Sequence, residues 1–487
     1  MEEREKMTNA PEHKKLFIKT YGCQMNFYDS EKMQDMMQTQ GFQTSQDVED
    51  SELIILNTCH IREKASEKMY SELGRMRDIK NERKKLGKNT VIAVAGCVAQ
   101  AEGAEIRTRA PYVDIVVGPQ SYQRLPQMVN NAEAGTKNGV ELDFSANDKF
   151  DFLNEEIEKQ NQEKEVKAKA QPALQAPTTS QPLQPSRSTA FLTIQEGCDK
   201  FCTFCVVPYT RGAEVSRSVP EIYREALKLV SEGVKEINLL GQNVNAFHGK
   251  DETGNIISLG LLMDKLALIP GLERIRYTTS HPNDVDADLI NSHKYNEKVM
   301  PFVHLPIQSG NDRILRSMNR KHTREDYLRV IERFRAARSD IEFSSDFIVG
   351  YPNETDAEFL DTIKLIEEVK FTLSYSFIYS PRPGTPAAGM ADDITKETKT
   401  VRLQQLQKLL EQQMFEFLAN KVGRTMPVLI NRKGKFDHHT LGFTPYMQPC
   451  ILENASEFFH QIVNVEVTAA RDRALIGRII EAGKKAA

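Results

Sequence analysis

The sequence of 487 residues has no apolar run long enough to span a membrane. Its charged first residues, Met1 to Met7, are not followed by the apolar core of a secretion signal. We therefore expect neither a signal peptide nor a spanning helix. The expected location is cytoplasmic, without a membrane partner.

An excess of positive charge is also missing. The formal net charge is −4, with 64 Lys and Arg residues against 68 Asp and Glu residues. No overall basic field marks a nucleic-acid partner, so any RNA contact must come from local patches. With 27% charged and 40% hydrophobic residues, the composition is that of an ordinary folded protein of two or three domains, which excludes a fibre or a wholly disordered chain.

Cysteine is scarce, and its seven occurrences are an odd number for a set of disulfides. Six of the seven lie in loop-like contexts beside glycine, threonine or one another. In a long chain of this kind, that placement favours metal ligands over disulfides and fits a reducing compartment. The seventh, Cys450, is expected to be a small buried hydrophobic residue.

Three cysteines form the chemical centre of the sequence. Cys198, Cys202 and Cys205 follow the apolar run 190–194 with the spacing C-x3-C-x2-C. A closed zinc site needs four ligands, and this segment offers neither a fourth cysteine nor a histidine. Three thiolates on a [4Fe–4S] cube would leave one iron free for a small molecule with an amine and a carboxylate.

Residues 14–150 alternate apolar strands with helices, which predicts a small flavodoxin-like α/β domain with a parallel sheet. Cys23, Cys59 and Cys97 each lie within two residues of the end of a predicted strand. Because ligand sites in such sheets lie beyond the carboxyl ends of the strands, we expect these thiols to converge on a second three-ligand cluster. Three unrelated core cysteines are the weaker alternative. Asn26, Asn57 and Gln100 lie near these thiols and are candidates to hydrogen-bond cluster sulfides or substrate, with helix capping and turn formation as alternatives for Asn26 and Asn57.

The next segment, 151–188, is rich in Glu, Lys, Gln and Pro, and predicts a solvated linker. Residues 189–420 then contain six strand-like runs separated by helices, followed by a connector helix. This pattern predicts a partial (β/α)6 barrel with its chemistry at the carboxyl ends of the strands. Polar residues occur there: Gly241, Gln242, Asn243, His281, Gln308, Ser309 and Asp346.

The last segment, 421–487, contains short β-rich runs and predicts a small antiparallel β-barrel. Ten Lys and Arg residues against six Asp and Glu residues give this segment an excess of +4. That excess is consistent with phosphate contact. Where a basic, glycine-rich turn is expected, however, the chain has an acidic and histidine-rich stretch that begins at Asp437.

Two strings carry a resemblance to a known family. The stretch from Glu196 to Gly212, EGCDKFCTFCVVPYTRG, and the stretch from Ser344 to Thr355, SSDFIVGYPNET, resemble the tRNA methylthiotransferases of the radical S-adenosylmethionine (SAM) superfamily. The resemblance covers the whole chain outside the linker. It implies a flavodoxin-like domain, a radical SAM barrel and a terminal TRAM-like domain that contacts RNA.

The resemblance implies two [4Fe–4S] clusters and SAM as cofactors. The cluster of Cys198, Cys202 and Cys205 would reduce SAM to form a deoxyadenosyl radical. The cluster of the other triad would hold the sulfur that is transferred, and another SAM would supply the methyl group. An electron donor such as a flavodoxin or ferredoxin and a sulfur source are implied partners, and we expect a monomer.

The implied reaction adds a methylthio group to C2 of N6-isopentenyladenosine at position 37, beside the tRNA anticodon. An unactivated aromatic C–H bond is inert to acid–base chemistry, which favours a radical route. Two related substrates stay open: threonylcarbamoyl-adenosine in tRNA and an aspartate of a ribosomal protein. A non-catalytic RNA-binding protein with zinc or an iron–sulfur cluster is the alternative from another class.

The resemblance also places residues around SAM. Gly241 and Gln242 would face its methionine amino group, and the candidates for its carboxylate, its ribose and the substrate are Asn243, Gln308, Ser309 and Asp346. Arg211 and Arg217 are candidates for phosphate or the SAM carboxylate, with a solvated basic loop as an equal alternative. For His281 and His304 we expect packing or hydrogen bonding rather than metal ligation.

Overall fold

The structure is a computed structural model that describes residues 13–60, 64–136, 139–143, 149 and 187–480. The linker expected at 151–188 lies outside the described residues, apart from its last two. The described part forms two compact units. Residues up to 149 combine with Val206–Ala213 in the first unit, and the second contains 187–205 and 214–480.

The first unit is built on a six-stranded sheet in which every pair of neighbouring strands is parallel. The order is β2-β1-β3-β4-β5-β6, and its first five strands have the flavodoxin-like order. The strands are β1 (Lys14–Thr20), β2 (Phe42–Thr44), β3 (Leu53–Thr58), β4 (Val91–Gly96), β5 (Ile115–Val117) and β6 (Val140–Glu141). The helices are α1 (Gln24–Thr39), α2 (Lys64–Lys85), α3 (Cys97–Glu102), α4 (Glu105–Arg109) and α5 (Leu125–Glu133).

The sheet of the first unit is covered on both faces. All six residues of β3 and all six of β4 are buried, and their side chains alternate between two separate apolar clusters. A parallel strand with both faces covered reads as a continuous apolar run, which is why these two strands are evident from the sequence. The sequence analysis missed β2 and β6, which have only three and two residues.

The second unit begins with six parallel strands that follow one another around a partial barrel. They form two three-stranded sheets, and Ile275 and Val299 make the bridge between the sheets. The strands are β7 (Thr189–Thr193), β10 (Glu236–Leu240), β13 (Arg274–Tyr277), β14 (Phe302–His304), β15 (Glu342–Val349) and β16 (Leu373–Ile378). Short strand pairs in the loops are β8 (Gln195–Glu196) with β9 (Val215–Ser216), and β11 (Gly249–Lys250) with β12 (Ile256–Ile257). The (β/α)6 barrel expected from the sequence is confirmed.

Helices connect the barrel strands. One short helix of the first unit, α6 (Val207–Arg211), lies between β8 and β9 in the chain. The helices of the second unit are α7 (Val219–Ser231), α8 (Leu259–Ala267), α9 (Ala287–Tyr295), α10 (Asp312–Ser317), α11 (Arg324–Ala337), α12 (Asp356–Val369) and the connector α13 (Lys396–Ala419). Capping boxes fix where three of them begin, because Ser218, Thr323 and Thr355 bond the free backbone N–H groups of the first turn. No helix among the described residues is both long and apolar enough to cross a membrane.

The C-terminal strands close into a five-stranded barrel of order β17-β18-β19-β21-β20. They are β17 (Thr425–Lys433), β18 (His439–Phe443), β19 (Pro449–Glu453), β20 (Ile462–Arg471) and β21 (Ala474–Ile479). The expected small barrel is confirmed, with one difference, since β19 and β21 pair in parallel. Cys450 is fully buried in the core of this barrel, as expected.

Two arginines of barrel strand β13 hold the C-terminal barrel. Arg274 donates to the carbonyl oxygens of Phe443 at 3.0 Å and Pro427 at 2.9 Å. Arg276 donates to those of Thr444 and Pro445, both at 2.8 Å. The buried carboxylate of Glu236 on β10 lies 3.5 Å from Arg274 and 3.0 Å from Arg276. The two guanidinium groups therefore satisfy four carbonyls and share one compensating charge.

Stability should depend on the protonation of Glu342, which lies 3.9 Å from Lys421 between the two barrels. Burial raises the pKa of Glu342 to about 7 from 4.5, and the charge of Lys421 opposes that shift. The stability that this group contributes is complete below about pH 4.5 and is lost as pH rises through about 7. We expect Glu342→Gln to match the native melting temperature at low pH and to exceed it above pH 7.

The measurement is the melting temperature of both proteins across that pH range. Glu332→Gln is the control, because Glu332 is exposed on α11. A difference that does not change with pH would contradict the prediction.

Candidate functional site

The loop with Cys198, Cys202 and Cys205 follows the first barrel strand. Cys202 is buried and the other two thiols are half-buried, so all three lie at the margin between core and solvent. The backbone turns back on itself there, with the N–H of Cys205 bonded to the carbonyl of Cys202 at 3.0 Å. Phe201 takes a positive φ of 47° in the same turn. This spacing therefore forms a compact loop that presents three sulfurs.

The loop is fixed to the segment after α10 by a set of hydrogen bonds. The Thr203 hydroxyl donates to the Ser317 carbonyl at 2.9 Å and lies 2.8 Å from the Tyr351 hydroxyl. Asn319 donates to the carbonyl of Phe201 at 2.9 Å. The Arg320 guanidinium lies 3.6 Å from the Cys202 sulfur and donates to the Pro306 carbonyl. The cysteine loop is thus held by side chains from distant parts of the sequence.

The residues after β10 support the same loop. The Gln242 side chain accepts a hydrogen bond from the Gly197 N–H at 2.5 Å. Asn243 donates to Asp284 at 2.8 Å, and Asp284 also pairs with Lys200 at 2.7 Å. At Gly241 a Cβ atom would lie 2.4 Å from the Gln195 side chain, so a larger residue does not fit. The structure therefore brings Gly241, Gln242 and Asn243 to the cysteine loop.

The other predicted residues lie near one another, with Gln308 and Ser309 after β14 and Asp346 within β15 rather than beyond its carboxyl end. The Gln308 N–H bonds the Asp346 carbonyl at 3.0 Å, with Gln308 at a φ of 80°. Ser309 is fully buried, and its hydroxyl lies 3.4 Å from that of Thr362. The Asp346 carboxylate lies 3.6 Å from the His304 ring. Contact of these residues with SAM stays a prediction, and the buried hydroxyl of Ser309 is placed to support the turn.

The two histidines singled out in the sequence have hydrogen-bonding roles, as expected. His304 lies 2.9 Å from the Ser344 hydroxyl, and His281 accepts from the Asn283 N–H at 3.3 Å. Burial lowers the pKa of His281 strongly, and the Arg320 charge acts in the same direction. The His281 ring is therefore neutral at physiological pH.

The second triad lies at one edge of the sheet in the first unit, where the sequence predicted it. Cys23 follows β1, Cys59 follows β3, and Cys97 follows β4. Hydrogen bonding from Cys59 lowers the pKa of Cys23 to about 6, and the Arg211 charge acts in the same direction. Burial raises the pKa of Cys97, and the charge of Arg211 opposes that shift. The ends of three strands thus bring the thiols close enough to affect one another's pKa, with Arg211 acting on both Cys23 and Cys97.

The amides near this triad have mainly local roles. The Cys23 thiol lies 3.7 Å from the side chain of Asn26. Asn57 donates to the Asn26 carbonyl at 2.8 Å and to the Ser30 hydroxyl at 2.9 Å. Gln100 donates to the Leu142 carbonyl at 2.9 Å. Asn26 and Asn57 therefore fix the local backbone, as the turn alternative expected, although neither caps α1 through its side chain, and contact of the three amides with a cluster or substrate stays a prediction.

The alternative that Arg211 and Arg217 form a solvated basic loop was wrong, because both are buried, and their contact with phosphate or the SAM carboxylate stays a prediction. Arg211 is buried in the first unit, bonded to the Asp29 carboxylate at 2.8 Å and to the Asn26 side chain at 3.3 Å. Arg217 is buried in the second unit and paired with Glu225 at 2.8 Å. Each buried charge is paired with a carboxylate, which lies 182 residues away for Arg211 and eight residues away for Arg217.

The number of thiols in each set favours a cluster over a closed zinc site. Each set offers three thiols, one fewer than a closed tetrahedral zinc site requires. Three thiolates on a [4Fe–4S] cube leave one iron open. Among the described residues, the three sulfurs of neither triad all lie within 4.8 Å of one another, whereas ligand atoms of His438, His439 and Glu453 do.

Ionisation differs between the two triads. Burial raises the pKa of Cys198 to about 11, with Cys202 acting in the same direction and the Lys200 N–H and charge opposing it. Metal ligation requires the thiolate, so an incoming cluster must displace a proton there. The Cys23 thiol, with its pKa near 6, is already largely ionised at neutral pH.

The sequence analysis missed Arg320 and the ion pair between Arg211 and Asp29. Neither has a local signal, since Arg320 lies 118 residues from Cys202 and Arg211 lies 182 residues from Asp29. The position of each arginine follows from the fold and not from spacing along the chain.

The comparisons with known proteins cover each part of this fold. Residues 15–118 match the Uncharacterized protein family UPF0004, 192–366 the Radical SAM superfamily and 419–480 the TRAM domain. A protein of Rickettsia canadensis (strain McKiel), named tRNA-2-methylthio-N(6)-dimethylallyladenosine synthase, is 52% identical over 96% of this chain and 99% of its own. A protein of the same name from Rickettsia rickettsii (strain Sheila Smith) is 52% identical over 96% of this chain and 100% of its own.

The chain belongs to the tRNA-2-methylthio-N(6)-dimethylallyladenosine synthase family. It is a radical SAM enzyme, and its family uses SAM and [4Fe–4S] clusters. The methylthiotransferase resemblance carried by the cysteine strings is confirmed at the level of the family. A solved structure supports the fold alone: the radical SAM methyltransferase TsrM from Kitasatospora setae has a TM-score of 0.53 at 11% identity, over 77% of each chain.

In this synthase family member, cluster binding by the second triad should be lost when one methyl group is added at Gly22. A Cβ atom at Gly22 would lie 2.0 Å from the Cys59 Cβ and 2.9 Å from its sulfur, and φ at Gly22 is +110°. We therefore expect Gly22→Ala to displace Cys59 and prevent cluster binding there. After anaerobic reconstitution, iron should fall from about eight to about four atoms per chain.

The control for this change is Gly41→Ala. Gly41 also has a positive φ, of +83°, but no atom lies within 4 Å of its added Cβ. It therefore carries the same kind of backbone strain without the clash. Equal loss of iron in both variants would contradict the prediction.

Proposed function

We propose that this chain adds a methylthio group to C2 of N6-isopentenyladenosine at position 37 of tRNA. The observation that carries the proposal is the presence of two separate three-cysteine sets in a member of this family, one in each compact unit. One set suits a cluster that reduces SAM, and the other suits a cluster that holds sulfur. A protein with a single structural metal would need only one set.

The chain's own residues would hold these groups. Cys198, Cys202 and Cys205 would bind one cluster, and Cys23, Cys59 and Cys97 the other. When bound, the clusters and SAM supply the electron, sulfur and methyl chemistry that side chains cannot provide at an inert C–H bond. The protein positions the thiols, and Gln242 and Asn243 fix the first loop through Gly197 and Asp284.

Residues at or near the carboxyl ends of the barrel strands would bind SAM and the substrate. We assign this role to Gly241, Gln242, Asn243, Gln308, Ser309 and Asp346. The grouping of Gln308 with Asp346, and the support that Gln242 gives to the cysteine loop, favour a common rim. The domain scheme is part of the proposal: 14–150 for the auxiliary cluster, 151–188 as a linker, 189–420 for radical chemistry and 421–487 for RNA contact.

The remaining partners are also proposals. A flavodoxin or ferredoxin would supply electrons, and a separate sulfur source would restore the sulfur consumed in each turnover. The chain would act as a monomer in the cytoplasm on its tRNA substrate.

The test is nucleoside mass spectrometry of tRNA after anaerobic reaction with SAM, reductant and sulfide. Isopentenylated tRNA should gain the methylthio group, and the same tRNA without the isopentenyl group should not. A product only with tRNA that carries threonylcarbamoyl-adenosine, or only with a ribosomal protein, would assign the chain to a related activity. Zinc uptake without SAM cleavage would overturn the enzymatic proposal.

A further inference from the structure

Each cysteine triad is accompanied by one buried arginine from a distant part of the sequence. In the first unit, Arg211 donates to the Asn26 side-chain oxygen at 3.3 Å, and the Cys23 sulfur lies 3.7 Å from the same oxygen. In the second unit, Arg320 lies 3.6 Å from the Cys202 sulfur. Arg211 is 3% exposed and Arg320 is 7% exposed. Buried cations are costly, so two such placements beside the two thiol sets call for a common explanation.

The surroundings of Arg211 keep its guanidinium in place. Asp29, which is fully buried, accepts from Arg211 at 2.8 Å and from Lys149 at 3.1 Å. The Gln120 side chain donates to the Arg211 carbonyl at 2.8 Å, which fixes the backbone of the short helix α6. The Arg211 guanidinium is thus held in a fixed position on the same Asn26 side chain that the Cys23 sulfur contacts.

Arg320 is held differently and has less compensation. One terminal nitrogen donates to the Pro306 carbonyl and the other lies at the Cys202 sulfur. The Nε atom of Arg320 is buried without a hydrogen-bond partner. No ion pair of Arg320 with a carboxylate occurs within the described ranges, so its charge is available to the cysteine loop.

We propose that Arg211 and Arg320 are positioning residues that set the charge balance, and hence the reduction potential, of the two iron–sulfur centres. The inference rests on cluster binding by the two triads, as in the proposed function. A [4Fe–4S]²⁺ core with three thiolates carries a net charge of about −1, and reduction adds one more negative charge. A nearby fixed cation favours the reduced state, because it attracts the added negative charge.

The test measures each centre alone in the full-length chain. The background Cys198→Ala, Cys202→Ala, Cys205→Ala keeps the Arg211 centre, and the background Cys23→Ala, Cys59→Ala, Cys97→Ala keeps the Arg320 centre. Midpoint potentials are read by anaerobic redox titration with electron paramagnetic resonance. We expect Arg211→Gln and Arg320→Gln each to shift the reduction equilibrium of their own centre about tenfold toward the oxidised form, which is about 59 mV for one electron.

The matched control is Arg83→Gln. Arg83 is equally buried, at 4% exposed, and it is paired with Glu52 and Asp50 in the first unit, so its loss also disrupts a buried ion pair. It should leave the potential of the Arg211 centre unchanged. The lysine variants at 211 and 320 should keep most of the native potential, because they keep the charge.

The outcomes separate this inference from the proposed function. If the two alanine backgrounds bind no cluster while their arginines are unchanged, both the proposed function and this inference fail. If clusters form and the glutamine variants have native potentials, or the same shift as Arg83→Gln, the inference alone is overturned. If a glutamine variant folds but binds no cluster, restoration of binding by lysine supports the inference, and failure of the folded lysine variant to bind contradicts a role through charge.

Discussion

Cys198→Ala is expected to abolish formation of the methylthio nucleoside, with a loss of at least about 10⁴-fold in rate. The three-cysteine loop has no substitute ligand, because Cys198, Cys202 and Cys205 are its only thiols. Without this centre the inert C–H bond has no radical route, and no acid–base group can replace it. Nucleoside mass spectrometry of isopentenylated tRNA after a fixed reaction time gives the measurement.

Two further variants show whether that loss is specific to this loop and which step it affects. Cys450→Ala removes a thiol that is fully buried in the C-terminal barrel, and it should keep the product. Cys23→Ala should also lose the methylthio product. It should keep reductive cleavage of SAM, because that step is assigned to the centre of Cys198, Cys202 and Cys205. Persistence of the product in Cys198→Ala would disprove the role of this loop, and loss of SAM cleavage in Cys23→Ala would disprove the division of roles.

Glu236→Gln is expected to cause the largest loss of stability. Its carboxylate compensates Arg274 and Arg276, and all three side chains are buried. Removing one partner of a buried ion pair leaves an uncompensated charge, and the cost is about 3–5 kcal/mol. Because the two arginines also bond four carbonyls of the C-terminal barrel, we expect that barrel to lose its attachment first.

Urea unfolding followed by circular dichroism gives the measurement, because the chain contains no tryptophan for fluorescence. Hydrogen exchange of the segment 425–479 would report the attachment directly. The control is Glu273→Gln, whose carboxylate pairs with Lys235 at 2.7 Å but is 42% exposed, and it should cost about 0–1 kcal/mol. Similar costs for Glu236 and Glu273 would contradict the prediction.

The second triad could be predicted from the sequence, because ligand sites lie beyond the carboxyl ends of parallel strands and each strand end can be recognised locally. Cys23, Cys59 and Cys97 each follow an apolar run, and the parallel order of those runs is enough to bring the thiols together. The same reasoning could not find Arg320 or Arg211. Their partners are set by tertiary packing, which residue spacing does not encode.

Two other features have local physical reasons. The stretch from Asp437 has turn residues, yet His439–Phe443 forms β18, because pairing with β17 and β19 outweighs the local preference. The Gln242 side chain accepts from the Gly197 N–H, a contact that the sequence did not predict, and its contact with SAM stays a prediction. A backbone N–H in a tight loop needs an acceptor, and this amide oxygen provides it.

The eight residues Val206–Ala213 limit how this protein can be divided into separately expressed fragments. They follow Cys205 directly in the sequence but fold with the first unit. An N-terminal fragment that ends between 151 and 188 would keep Cys23, Cys59 and Cys97 but lose Arg211, and of the two ion-pair partners of Asp29 in the described part of the chain it would keep Lys149. A C-terminal fragment that starts in the same stretch would carry α6 without Asp29. The two units are therefore poor candidates for separate expression, and a gene fusion that exchanged one of them would have to exchange this short segment as well.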